Sequence, residues 1–84
     1  MYELMSFVNR GKIRRKILEN LSKPMTPTEL SHKIQTHRST TSRALIDLEK
    51  KGLVHCLTPN ERMSRYYEIT DLGQKIILKI LEGI

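Results

Sequence analysis

Arg38, Ser39, Ser42 and Arg43 lie close together in a stretch where Thr41, Ala44, Leu45 and Leu48 recur at helical spacing. With a 3.6-residue period the second set turns to one face, and the arginines and serines project from the other. An arginine fork pairs bidentately with a guanine edge, and hydroxyls bond phosphates or base edges. Together with Thr40, these short polar and cationic side chains would let a helix start enter a groove about 12 Å wide. Two further groups point to the same chemistry. Thr28 stands at the expected start of a helix, where free amides and a hydroxyl attract an anion. Asn60, Arg62, Ser64 and Arg65 cluster in a polar loop from which long cations can reach a nucleic-acid backbone or minor groove. Across the 84 residues, 15 lysines and arginines oppose 9 aspartates and glutamates, a formal charge of +6 that favours a polyanionic partner.

Other chemistries are poorly supplied. His32, His37, His55 and Cys56 are the candidate metal ligands, but His55 and Cys56 are adjacent and would point to opposite faces of a strand. No C-x-x-C pair accompanies them, so no metal or other cofactor is expected. Nothing in the sequence places a base beside Cys56, which reads as a small buried thiol in a protein that is not an enzyme. One phenylalanine, three tyrosines and no tryptophan make a poor stacking platform for single strands. Tyr66 and Tyr67 alternate across a strand, and Tyr67 is expected to face inward. A lone cysteine forms no internal disulfide, and no leader-like segment is evident, so a reduced cytoplasmic setting is expected. No apolar run exceeds three residues, against the roughly 20 needed to cross a bilayer. No membrane association or small-molecule substrate is expected.

Punctuation residues divide the chain into elements. Ile13, Ile17, Leu18 and Leu21 give an amphipathic helix from Asn9 to Leu21. The apolar segment before it (Tyr2, Leu4, Met5, Phe7, Val8) is either more of that helix or a separate piece, because Gly11 interrupts it. Thr26, Pro27 and Glu29 form a capping box with proline at the first helical position. They start a short helix with Leu30 and Ile34 inward, ending near Gln35. After a tight turn a third helix begins at Thr36 or His37, and Gly52 stops it after Lys51. Leu53–Leu57 and Arg65–Ile69 are β-prone and flank a polar loop, which reads as a hairpin. Thr70 and Asp71 open a last helix.

The order helix, helix, turn, helix, hairpin, helix is a mostly α, α+β winged helix-turn-helix: a three-helix core, a two-stranded wing and a C-terminal helix. The stretches TELSHKIQTHRSTTSRALIDLEKKGLV and NERMSRYYEITDLGQKI resemble the MarR/ArsR-type winged-helix regulators of bacteria and archaea. The resemblance runs from about Ile13 to Ile80 and includes the T-x-x-G that opens the last helix. It implies a homodimer on a palindromic duplex, with the third helix in the major groove and the 58–65 wings on the flanking minor groove. Carried over by position, it implicates His37, Arg38, Ser39, Ser42, Arg43, Arg62 and Arg65. The chain departs from the pattern at Gln35, where glycine is usual, at Thr36 and Thr41, where aliphatic residues usually pack, and at His37, where a serine cap is usual.

The whole chain, 1–84, reads as one domain with its core at about 10–70. The 71–84 helix carries more apolar residues than one stripe needs, so Ile77, Ile80, Leu81 and Ile84, with Leu4 and Phe7, are expected to form a dimer surface. The expected function is sequence-specific duplex DNA binding by a homodimeric transcriptional repressor. The alternative is a winged-helix protein-interaction module working through the apolar last helix without reading DNA.

Overall fold

The computed structural model describes residues 2–62 and 64–83. Its elements are α1 (Tyr2–Arg10), α2 (Lys12–Asn20), α3 (Pro27–Lys33), α4 (Arg38–Lys50), β1 (Val54–Cys56), β2 (Tyr67–Ile69) and α5 (Asp71–Leu81). Gly11 does break the N-terminal helical stretch in two. It adopts an extended conformation as the N-cap of α2, and a Cβ there would collide with the Arg14 side chain. That side chain is fixed from two directions: Arg14 Nη1 donates to the Phe7 carbonyl at 2.7 Å, and the guanidinium lies 3.9 Å from the centre of the Phe7 ring.

The capping box forms as the sequence requires. Thr26 Oγ1 accepts from the Glu29 amide at 3.2 Å, and Glu29 Oε1 accepts from the Thr26 amide at 2.9 Å. The turn after α3 passes through Gln35 at φ 55°, the left-handed region that glycine enters freely and other residues enter at about 1–2 kcal/mol. The departure from glycine at this position therefore places a strained residue in the turn. Thr41 is buried like the aliphatic residues it replaces; its hydroxyl donates to the His37 carbonyl at 3.0 Å, so no polar group is stranded.

α4 ends where Gly52 takes φ 75°. Gly52 N–H donates to the Glu49 carbonyl and Leu53 N–H to the Leu48 carbonyl, closing the paired bonds of a Schellman motif. The chain then enters an antiparallel hairpin registered Val54 to Ile69, His55 to Glu68 and Cys56 to Tyr67. A third segment joins this sheet: Met25 and Tyr67 exchange both backbone bonds, at 3.0 and 2.9 Å. The sequence reading missed this bridge because one residue between Pro24 and Thr26 carries no strand periodicity.

Thr70 locks the hairpin and α5 to the end of α4. Its hydroxyl donates to the Gly52 carbonyl at 2.7 Å and accepts from the Gly73 amide at 3.0 Å, while its own amide donates to the Leu53 carbonyl. Gly73 packs so closely that a Cβ would strike the Leu53 carbonyl oxygen. The T-x-x-G motif is thus one cap and one point of close approach.

The core runs from Val8 to Ile80 and takes in Ile17, Leu30, Leu45, Leu48, Leu53 and Ile76, so it extends beyond the expected 10–70. This corrects part of the expected partner surface. Ile77 and Ile80 are buried in the chain's own core, because α1 packs on α5 and covers that face. Leu4 and Phe7 are half-buried against the same core. Leu81 is exposed, Leu78 joins it, and Ile84 lies outside the described residues.

Gly73→Ala is expected to lower stability by about 1–3 kcal/mol through overpacking against backbone. Thr70→Val should cost about 1–2 kcal/mol by removing the cap and the hydrogen bond to the Gly52 carbonyl. Urea unfolding midpoints check both.

Candidate nucleic-acid interface

Burial of Thr41, Ala44, Leu45 and Leu48 fixes the rotation of α4 about its axis. Arg38, Ser39, Thr40 and Arg43 are consequently exposed and Ser42 is half-exposed, the arrangement that helical spacing implied. The His37 side chain makes no cap, so the first α4 amides, at Arg38, Ser39 and Thr40, have no intrahelical acceptor and add the positive end of the helix dipole to this surface.

The polar residues fall into groups on either side of this helix start. Toward the wing, Thr28, Arg38, Ser42, Arg62, Ser64 and Arg65 line a single open groove of about 430 Å³, whose lining among the described residues contains no carboxylate. Three segments distant in sequence thereby bring three guanidiniums together with the hydroxyl residues Thr28, Ser42 and Ser64. On the opposite flank, Ser39, Thr40 and Arg43 face Lys12 and the α1–α2 junction, with Asp47 at the edge. His37 sits apart at the turn beside His32 and Gln35. Asn60 is exposed in the wing loop and lines neither groove.

Two expectations need correction. The start of α3 does not offer an array of free amides: Pro27 has none, the Glu29 amide is taken by Thr26 Oγ1, and the Leu30 amide bonds the Thr26 carbonyl. Only Thr28 contributes there, as a groove-lining residue. Arg65 is not a free wing cation. Its Nη2 donates to the Pro59 carbonyl at 3.2 Å, and its Nε is enclosed with no hydrogen-bond partner among the described residues. The adjoining Cys56 side chain, followed by Tyr67, raises its pKa further above its ordinary value, so the guanidinium stays charged. Arg65 therefore anchors the wing loop while lining the groove. Thr58 assists, its hydroxyl accepting from the Tyr66 amide at 3.0 Å. Arg62 is exposed and makes no internal polar contact among the described residues.

Of the basic residues in the first amphipathic helix, Arg15 is engaged with Glu19 at 3.2 Å, while Lys12 and Arg14 line the groove beside α4, Arg14 with its guanidinium tied to Phe7. Sequence reasoning passed over Ile46, which is apolar but 47% exposed in the wing-side groove. Its position off the core stripe was the available signal. Cys56 and Tyr67 are buried, and His55 is exposed. Among the described residues no group of three histidines, cysteines or carboxylates could hold a metal ion, and no helix is long and apolar enough to cross a membrane.

The fold matches solved MarR-type regulators along nearly the whole chain. A structure described as a MarR family transcription regulator superposes with a TM-score of 0.78 at 27% identity, covering 98% of this chain and 61% of that one. Transcriptional regulator Tm0710 from Thermotoga maritima gives 0.75 at 26%, covering 93% and 60%. Apo MarR from E. coli gives 0.79 at 24%, covering 95% and 62%, a likeness of fold. No curated protein matches. The architecture is therefore that of the MarR-family winged-helix transcription regulators, and the chain spans about three fifths of the length of the structures it matches. Within that class, residues 2–84 match the family described as methanogenesis regulatory protein FilR1, N-terminal domain, and the chain belongs to this family.

Burial pushes the Tyr67 phenol up from its ordinary 10.0, with the neighbouring Cys56 adding to the shift. A raised folded pKa means that the unfolded chain ionises first. The stabilisation is thus full below pH 10 and is lost as pH rises through the folded value. Urea midpoints should fall above pH 10, and Tyr67→Phe should flatten that fall. The two wing arginines should also separate: Arg62→Ala leaves the thermal midpoint unchanged, whereas Arg65→Ala lowers it, as calorimetry would show.

Proposed function

We propose that this chain binds duplex DNA sequence-specifically as a transcription regulator, with α4 in the major groove and the 58–65 wing on the flanking backbone and minor groove. The carrying observation is the carboxylate-free groove in which Arg38 and Ser42 of α4 meet Arg62, Ser64 and Arg65 of the wing and Thr28 before them. Ser39, Thr40, Arg43 and His37 extend this surface across the helix start, and Asn60 extends it along the wing. Arginine and hydroxyl side chains on an exposed helix start are suited to base edges, while the wing cations suit phosphates. One matched structure is a mutant E. coli MarR complexed with operator DNA, at a TM-score of 0.76 and 24% identity. The reading includes a two-fold dimer, which would set two copies of α4 one DNA turn, about 34 Å, apart. Leu78 and Leu81, 57% and 55% exposed on α5, are the free apolar residues for such a seam. The reading takes the regulator to repress by occupying a promoter.

Those same leucines favour a second reading, in which α5 docks another protein and DNA is not read. That reading gives no role to a basic, carboxylate-free groove.

Selection of bound duplexes from a random pool at two salt concentrations separates the readings. The expected result is an enriched inverted repeat whose affinity falls steeply with salt, since each neutralised phosphate releases counterions. Arg38→Ala and Arg43→Ala should relax base preference by roughly tenfold. Arg62→Ala should weaken all duplexes alike and reduce the log–log salt slope by about 0.9. Absence of enrichment, or binding indifferent to salt, would overturn the proposal.

A further inference from the structure

We infer that Ile46 reads the 5-methyl group of a thymine in the major groove. The inference rests on the duplex-DNA reading above and names one element of its specificity. Ile46 is the one apolar residue on the exposed side of α4. The core stripe needs nothing from it, because Leu45 and Leu48 beside it are fully buried. It follows Arg38 and Ser42 at intervals of four residues, so the three stand on one ridge at steps of about 6 Å. All three line the wing-side groove with Arg62, Ser64 and Arg65.

The surroundings restrict what can cover this side chain. An apolar protein surface pressed onto Ile46 would also cover Arg38 and Arg62, which have no internal partner among the described residues, and would desolvate them without compensation. A suitable occupant is polyanionic overall and carries an isolated apolar point at the depth of the helix ridge. Duplex DNA meets both conditions: phosphates suit the guanidiniums, and the thymine methyl is the apolar group that base edges present in the major groove.

The test uses the duplex enriched by selection and replaces its thymines one at a time with deoxyuridine, which lacks only that methyl. For the wild-type chain, one thymine per half-site should be sensitive, with binding weakened about fourfold, the equivalent of ~0.8 kcal/mol for one buried methyl-sized group. Ile46→Ala should bind the thymine duplex more weakly by a similar factor and be indifferent to deoxyuridine at that position. Its salt slope should match wild type, because no phosphate contact is removed. Its thermal midpoint should match as well, since the side chain is exposed and alanine favours helix.

Equal deoxyuridine sensitivity in wild type and Ile46→Ala would overturn the inference, because another residue would be reading the methyl. So would a wild type that binds tightly but is insensitive at every thymine, including the case where Ile46→Ala alone weakens binding through a lost sugar contact. Failure to enrich any duplex would overturn the regulator reading and this inference together, and that outcome is distinct from the others.

Discussion

Thr70 Oγ1 stands where three elements meet. It accepts from the Gly73 amide in the first turn of α5 and donates to the Gly52 carbonyl at the end of α4, while the Thr70 amide holds Leu53 at the root of the hairpin. The angle of the wing to α4 follows from this junction, because the strands leave and return through residues it fixes. Gly73 makes the close approach possible, and Gly52 provides the left-handed residue that turns the chain into β1. Without that geometry, Arg38 and Ser42 would not share a groove with Arg62 and Ser64.

Much of this was legible in the sequence where a local rule acts alone. The capping box at Thr26 and Glu29, the glycine stop at Gly52 and the threonine cap at Thr70 each depend on a few neighbouring residues. The rotation of α4 also followed from periodicity, so the outward set from Arg38 to Arg43 was readable in advance. Tertiary partners decided what remained hidden. Gly11 sits in the extended break between the N-terminal helices with Arg14, held on Phe7, filling the space a side chain would need, which is tertiary information. Ile77 and Ile80 looked like a partner surface because the packing of α1 over α5 is not local information. Arg65 looked like a free cation because its tie to Pro59 closes only when the loop folds. Met25 gave no strand signal because its pairing is a single bridge.

The departures from the family pattern also separate into different physical cases. Thr41 keeps the fold by satisfying its hydroxyl on His37, and Gln35 keeps the turn by accepting left-handed strain. His37 leaves the start of α4 without a side-chain cap. A small domain carries such local costs when its long-range packing is continuous. Here that packing runs from Val8 to Ile80.

The bridge between Met25 and Tyr67 gives the hairpin a three-stranded root just before α3. Beyond that root, the loop is held by Thr58 and Arg65 through bonds that stay within the wing. Base and tip are therefore mechanically separable. Residues could be added between Pro59 and Ser64, beyond those ties, with the helices undisturbed, since doubling a flexible loop costs only about 0.6 kcal/mol of closure entropy. The reach of the wing is thus an adjustable length on a fixed mount.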